Sequence, residues 1–233
     1  VKLRPEPDIQ ELPDPAHQFV LHSCEEMIGA GDLHLAEPRT FLSASARLAA
    51  LSSTTGNLNS AFGLDALRSN TTGDGNQAFG TDALYHNDIG RFNSAFGYEA
   101  LFSNTAAWGN SAFGSQALFF NTTGGENSAF GDGSLGANTT GYENTAVGHG
   151  ASAANTEGNY NTALGYAALG GNTTGTGNSA VGVGALAGVT TGIYNIGIGI
   201  QSGSNLTYGV YNIDIGNDGE QPRYGTAHRR LFL

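Results

Sequence analysis

Residues 71–138 repeat one seventeen-residue pattern four times: TTGDGNQAFGTDALYHN, DIGRFNSAFGYEALFSN, TAAWGNSAFGSQALFFN and TTGGENSAFGDGSLGAN. Outward from this stretch the same period runs from Thr54 to Arg223, which gives ten units without an insertion. The consensus is T-T-G-x-x-N-[S/T]-A-[F/V/I]-G-x-x-A-L-x-x-N, and its positions are numbered one to seventeen below. Such a period is typical of stacked repeats in which each unit packs on its neighbours.

Two positions of the repeat never vary. Position six is asparagine and position ten is glycine in all ten units. Glycine permits a positive φ or close backbone approach, and a unit this short and glycine-rich cannot form two packed helices. The pattern predicts an all-β parallel β-solenoid, left- or right-handed, of ten 17-residue coils. We expect the asparagine amides to form a hydrogen-bonded ladder, with the members Asn59, Asn76, Asn93, Asn110, Asn127, Asn144, Asn161, Asn178, Asn195 and Asn212.

Positions six to ten predict the main strand of each coil, with a second, shorter strand around positions thirteen and fourteen. Side chains alternate along a strand, so positions seven and nine share one face. Position nine is always large and apolar, and position seven becomes apolar in the last two units. This face is therefore predicted to be the core, with Leu67, Leu84, Leu101, Leu118, Leu135, Leu169 and Leu186 filling it from the second strand. The predicted core residues are Phe62, Phe79, Phe96, Phe113, Phe130, Val147, Leu164, Val181, Ile198 and Ile215.

Position eight then points outward, yet it is alanine in eight units. Small residues allow another backbone to approach closely, and a thin coil buries little surface alone. We therefore expect a homotrimer, intertwined or side by side, over a monomer with the alanines in its own interior. The predicted trimer interface comprises Ala61, Ala78, Ala95, Ala112, Ala129, Ala146, Ala163 and Ala180.

Composition narrows the classes of partner. The formal net charge is −11 with only nine lysines and arginines, which disfavours nucleic acid and anionic membranes. The sequence contains no run of about 18 apolar residues, so no membrane-spanning segment is predicted. The lone cysteine, Cys24, cannot form an intrachain disulfide and is interpreted as a buried apolar thiol.

Little in the sequence predicts catalysis. Acidic side chains recur at position twelve as Asp65, Asp82 and Glu99. Stacked carboxylates can bind a divalent cation or serve a polysaccharide-cleaving solenoid, but a solvated outer face is favoured. The six histidines lack metal-ligand spacing, and no nucleophile or phosphate-loop motif is present. We predict no enzyme activity, no cofactor and no metal site.

Aromatic residues occupy variable positions of the repeat. Six stand at positions four and five, and Tyr85, Phe102, Phe119 and Phe120 stand at positions fifteen and sixteen. They are interpreted first as packing between chains or over core edges, and alternatively as stacking on a sugar or protein receptor. The candidate surface-contact residues are Trp108, Tyr142, Tyr160 and Tyr194.

The N-S-A-F-G and N-T-A-V-G segments resemble the N-S-V-A-I-G repeats of trimeric autotransporter adhesin heads. The longer N-T-A-[V/F]-G-x-x-A-L-x-x-N-T-T-G pattern is similar to trimeric phage tail-fibre repeats, which often precede an endosialidase-type chaperone. The resemblance covers about 54–216 and implies a left-handed β-roll, three chains around an axis, and a surface-exposed role in attachment. Asn212 to Gly219, NIDIGNDG, resembles the end of such arrays. The unit is longer than the adhesin's, and position seven is usually Ser or Thr.

Three segments are predicted: an N-terminal capping or docking segment over 1–53, the ten-coil solenoid over 54–223 and a C-terminal tail over 224–233. A short helix is expected over 40–52. The function predicted is a structural and adhesive fibre module, extracellular, on a cell surface or on a virion. The alternative is a subunit of a self-assembling extracellular filament. Ice binding and polysaccharide degradation are less favoured, since the Thr-Thr pairs are interrupted and the acids are few.

Overall fold

A computed structural model of the chain describes residues 55–216 and contains ten short strands in one parallel sheet. The strands follow chain order across the sheet, and each residue pairs with the residue 17 positions along, as Ala112 does with Ala129. This arrangement is a β-solenoid and confirms the predicted period and parallel stacking. The strands are β1 Ser60–Phe62, β2 Gln77–Phe79, β3 Ser94–Phe96, β4 Ser111–Phe113, β5 Ser128–Phe130, β6 Thr145–Val147, β7 Thr162–Leu164, β8 Ser179–Val181, β9 Ile196–Ile198 and β10 Ile213–Ile215.

The flanking segments lie outside the described residues. This applies to Cys24, to the helix predicted over 40–52 and to the tail over 224–233. The tenth coil is described as far as Gly216, so the end of the 54–223 array stays a prediction.

Each described coil contains one three-residue strand, so the second strand predicted around positions thirteen and fourteen is wrong. Those positions lie in a turn in which Glu99 and Leu101 have left-handed φ values of 54° and 52°. Alternating left-handed residues cannot form an extended strand. The turn is nevertheless bonded to the next coil, since the Leu101 N–H donates to the Ala117 carbonyl at 3.0 Å.

The interior of each coil is built from positions eight, thirteen and fourteen. In the fourth coil Ala112, Ala117 and Leu118 are completely buried. The seven leucines expected in the core are all buried there, as predicted. The alanine trimer interface is wrong, because these methyl groups pack inside their own chain and face no partner. Its eight residues, Ala61, Ala78, Ala95, Ala112, Ala129, Ala146, Ala163 and Ala180, all belong to the buried cluster.

Position nine points outward, so the predicted assignment of the two strand faces is reversed. A coil of 17 residues encloses too narrow a space for a large side chain at every level. A Cβ built on Gly197, which replaces the position-eight alanine, would lie 2.7 Å from Cγ of Leu186. Large apolar side chains are also common on protein surfaces, so size alone did not identify the inside. The residues wrongly assigned to the core are Phe62, Phe79, Phe96, Phe113, Phe130, Val147, Leu164, Val181, Ile198 and Ile215, all exposed or half-buried.

The position-six asparagines form the predicted ladder through all ten coils. Nδ2 of Asn127 donates to Oδ1 of Asn110 at 3.2 Å and to the Gly141 carbonyl at 2.8 Å. Oδ1 of Asn127 accepts the backbone N–H of Asn144 at 3.0 Å and its Nδ2 at 3.1 Å. Each internal amide thus satisfies a backbone donor and a backbone carbonyl, which are costly to bury unpaired.

A second asparagine ladder occupies position seventeen. Nδ2 of Asn121 donates to Oδ1 of Asn104 at 3.0 Å and to the Gly124 carbonyl at 2.9 Å. This ladder ends at Asn172, whose Oδ1 is buried without a hydrogen-bond partner because Val189 follows it in the column. The two ladders flank the Ala and Leu core, so polar and apolar columns together fill the coil.

Glycine at position ten is required by close backbone approach. Gly114 has φ of 143°, and a Cβ built on it would lie 2.5 Å from the carbonyl oxygen of Gly131. Neither the conformation nor the space admits a side chain. This explains why position ten never varies.

Asp214 occupies the alanine column of the tenth coil. Its Oδ2 accepts the backbone N–H of Gly203 at 2.8 Å, and its carbonyl accepts the Ser202 hydroxyl at 2.6 Å. In earlier coils the N–H at position fourteen donates to a carbonyl of the next coil. In the ninth coil the corresponding N–H, that of Gly203, donates to the Asp214 carboxylate.

Candidate functional site

The outward side chains at position nine form a continuous apolar column. The rings of Phe79, Phe96 and Phe113 stack with centroids 4.7 Å apart and planes within 5°. Phe130 continues the stack at 4.9 Å, and Phe62 lies 6.3 Å from Phe79. Parallel coils repeat at ~4.8 Å, which is a favourable separation for offset stacked rings.

Position eleven follows the position-ten glycine, where the backbone bends, and most of its side chains are also exposed. Tyr98, Tyr166 and Ile200 are among its exposed apolar members. In the ninth coil, where position nine is Ile198, positions seven and eleven add Ile196 and Ile200. In this coil the apolar surface is thus maintained although phenylalanine is replaced by a smaller residue. The side chains at positions nine and eleven are called the outer apolar face below.

Charge is nearly absent from this face. Within residues 55–216 the only acidic or basic side chains at positions seven, nine and eleven are Asp132 and His149. Their Oδ2 and Nε2 atoms lie 3.8 Å apart, and the imidazole stacks on Tyr166 at 5.5 Å. The two side chains are thus neighbours on consecutive coils of one chain.

Sequence reasoning missed the outer apolar face, although a signal for it was present. Position eight accepts only Ala, Gly and one Asp, whereas position nine accepts Phe, Val, Leu and Ile. A strict size limit is typical of a closed interior, and size tolerance is typical of a surface with an adjustable environment. The ranges of accepted size, rather than the sizes themselves, distinguish the two faces.

A second aromatic cluster covers the turn side of the first coils. The rings of Tyr85, Phe102 and Phe119 stack at 5.2 Å between successive centroids, and the Arg68 guanidinium lies 5.6 Å from the Tyr85 ring centroid. These three rings are half-buried, while Phe120 is 55% exposed and packs edge-on against Phe119. Both interpretations of this cluster, covering of core edges and contact with another chain, fit these contacts.

The four candidate surface-contact residues all lie on the outside of the coils. Trp108, Tyr142, Tyr160 and Tyr194 are 54%, 40%, 50% and 50% exposed. The structure brings Tyr142 and Tyr160 together, with centroids 5.1 Å apart and planes at 80°. Tyr194 stacks instead on Tyr211 at 5.2 Å, two coils or more from the other three.

The acidic column at position twelve is held by local contacts. Asp65 pairs with Arg68 at 3.3 Å, and Glu99 accepts a hydrogen bond from Nε2 of Gln116 at 2.8 Å. Partial burial raises the pKa of Asp82, and the neighbouring charges of Asp65 and Glu99 raise it further. Among the described residues no three His, Cys, Asp or Glu side chains come together as a metal site.

Comparison with known proteins yields no assignment. No protein-family model matches this chain, and no curated protein and no solved structure matches it significantly. Nothing in the range 55–216 is a helix long and apolar enough to cross a lipid bilayer. The geometry of the coils therefore carries the functional argument.

Proposed function

We propose that this chain is a non-enzymatic structural and adhesive fibre module. In this proposal it is a left-handed rod, exposed outside the cell or on a virion, that assembles as a parallel homotrimer and mediates attachment. The observation that carries the proposal is the outer apolar face, which runs the length of the described array. A rod with an apolar side chain at position nine of every coil is suited to side-by-side association.

The energy of association supports self-assembly. Covering a half-exposed phenylalanine contributes roughly 1 kcal/mol, which is about half the value for complete burial. Phe62, Phe113 and Phe130 are 36–48% exposed, and the column continues through ten coils. Many such layers together can offset the entropy lost when the chains associate.

Three chains are favoured over two by the shape of the edge. Positions nine and eleven lie on either side of the position-ten bend, and we take them as the two flanks of the edge. A face-to-face pair covers one flank, whereas an edge that points at a threefold axis contacts one neighbour on each flank. Head-to-tail contacts between identical chains generate a closed ring where the rotation between neighbours closes. The resemblance to trimeric adhesin heads and tail-fibre repeats gives the same number.

Native mass spectrometry and electron microscopy of the full chain test this proposal. We expect a trimer in solution and short rods in the images. Phe96→Asp should dissociate the trimer, because it places three charges in one apolar layer. Phe92→Asp is the matched control, since Phe92 is an exposed phenylalanine of the same coil on another side. A parent chain that is monomeric, or a Phe96→Asp variant that is still a trimer, would disprove association through the outer apolar face. Long polymers would favour the alternative function, a subunit of a self-assembling filament.

A further inference from the structure

A cluster of aromatic and acidic side chains lies away from the outer apolar face, at positions four and five of coils four to seven. It comprises Trp108, Glu126, Tyr142, Glu143 and Tyr160, and is called the Trp108 patch. All five residues are exposed. Side chains at these positions do not contribute to the buried core, so their chemistry is available for a ligand.

The two tyrosines provide a pair of walls. Their ring planes meet at 80° with centroids 5.1 Å apart, so one face of each ring lines an L-shaped corner. A hydrogen bond with Tyr142 is the main reason that the pKa of Tyr160 is raised to about 12, with smaller contributions from burial and nearby negative charge, including Glu143 and Glu126.

Two glycines leave room for the side chains of Trp108 and Glu126 to reach across to the adjacent coil. The indole lies over Gly125 of the next coil, where a built Cβ would be 3.4 Å from Nε1 of Trp108. In the opposite direction, Cγ of Glu126 lies 3.5 Å from a Cβ built on Gly109. A larger residue at position 125 would displace the indole. The glycines therefore let an aromatic ring and a carboxylate cross between coils four and five.

The charge of the patch is uncompensated. The sequence has no lysine or arginine between Arg91 and Arg223. The ion pairs found among residues 55–216 involve other acids, and neither Glu126 nor Glu143 belongs to one. Aromatic faces and unpaired carboxylates both attract cations, because the face of an aromatic ring carries partial negative charge and the carboxylate carries a full negative charge.

We propose that the Trp108 patch binds an alkylammonium cation, with Tyr142, Tyr160 and Trp108 as aromatic walls and Glu126 and Glu143 as counter-charges. A neutral sugar would use the rings but not two unpaired carboxylates. The ammonium group has two possible sources, a quaternary ammonium headgroup or a lysine side chain. The inference rests on the proposed attachment function for its biological meaning, and it supplies the class of ligand to which the rod attaches.

Trp108 is the only tryptophan of the chain, so its fluorescence reports on the patch. The full chain is titrated with choline, with lysine methyl ester, with the neutral choline isostere 3,3-dimethylbutan-1-ol and with cellobiose, and calorimetry gives the affinities independently. We expect choline or the lysine ester to bind at least about tenfold more tightly than the isostere, because only the cations gain cation–π contacts and carboxylate counter-charges. The tighter of the two cations identifies the source.

Two variants and one control complete the test. Glu126→Gln combined with Glu143→Gln should weaken cation binding about tenfold, and Tyr142→Leu should abolish it. Tyr194→Leu should leave it unchanged, since that exposed ring has no carboxylate at positions four and five of its neighbouring coils. Equal binding of choline and the isostere, a preference for cellobiose, or no binding at all would overturn the proposal. A trimer without cation binding refutes only this inference, whereas a monomer that binds choline refutes only the trimer.

Discussion

Removal of one ladder amide at position six should destabilise the array far more than removal of an amide at position seventeen. The two substitutions compared are Asn127→Ala and Asn121→Ala, adjacent internal asparagines that are both fully buried. Each loses two donated side-chain hydrogen bonds of about 3 Å. At about 1 kcal/mol for each bond, this part of the cost is about 2 kcal/mol in both variants.

The difference arises from a backbone donor. Oδ1 of Asn127 accepts the N–H of Asn144, so its removal leaves that buried N–H unpaired. Oδ1 of Asn121 accepts only Nδ2 of Asn138, whose own backbone N–H donates to the Leu135 carbonyl at 3.0 Å. A buried unpaired donor costs about 1–3 kcal/mol. Asn127→Ala should therefore be less stable than Asn121→Ala by that amount.

The assay is guanidinium denaturation, followed by circular dichroism at one fixed chain concentration so that self-association contributes equally. The expected order of midpoints is parent, Asn121→Ala and then Asn127→Ala. Hydrogen exchange of the Asn144 amide should accelerate only in Asn127→Ala. Equal midpoints for the two variants, or unchanged protection of that amide, would refute the reasoning that position six requires asparagine to accept a buried backbone N–H.

Three further predictions concern the core, a tyrosine and an acid. Ala112→Leu should lower the free energy of unfolding by about 1–3 kcal/mol through overpacking, as measured by denaturation. Phe113→Thr should change the stability of the monomer little but weaken its association, as measured by native mass spectrometry. Tyr142→Phe should lower the pKa of Tyr160 from about 12 toward its ordinary value, as read by NMR of labelled tyrosine. Because the folded pKa is raised, stability from this group is present below the unfolded pKa and lost as pH rises through about 12. Asp82→Asn should stabilise the chain slightly at pH 7 and by less in acid, as measured by denaturation at the two pH values, since the raised pKa of Asp82 makes its ionised form unfavourable.

The regular features of the fold could be predicted because they repeat at a fixed interval. Asn at position six and Gly at position ten were recognised as structural, and the ladder and the close glycine approach confirm those roles. Position seventeen was visible in the consensus, but its ladder was not predicted. Its amides bond mainly to one another and to a carbonyl that also accepts the position-six amide, so the sequence tolerates Val189 in their place.

The candidate site was predicted only in part. Trp108, Tyr142, Tyr160 and Tyr194 are exposed as expected. Which of them meet depends on the column and coil of each ring and on the glycines between them, such as Gly125. These contacts are between coils, so no local pattern encodes them.

The sequence by itself determined the period, the parallel register and the buried leucines, because each follows from the repetition of a residue type at one interval. Only the tertiary structure decided which side of the strand is interior. Alternation separates position eight from position nine but does not say which face closes on itself. The narrow lumen of a 17-residue coil decides it, since Ala112 fits against Leu118 inside and the ring of Phe113 must stand outside.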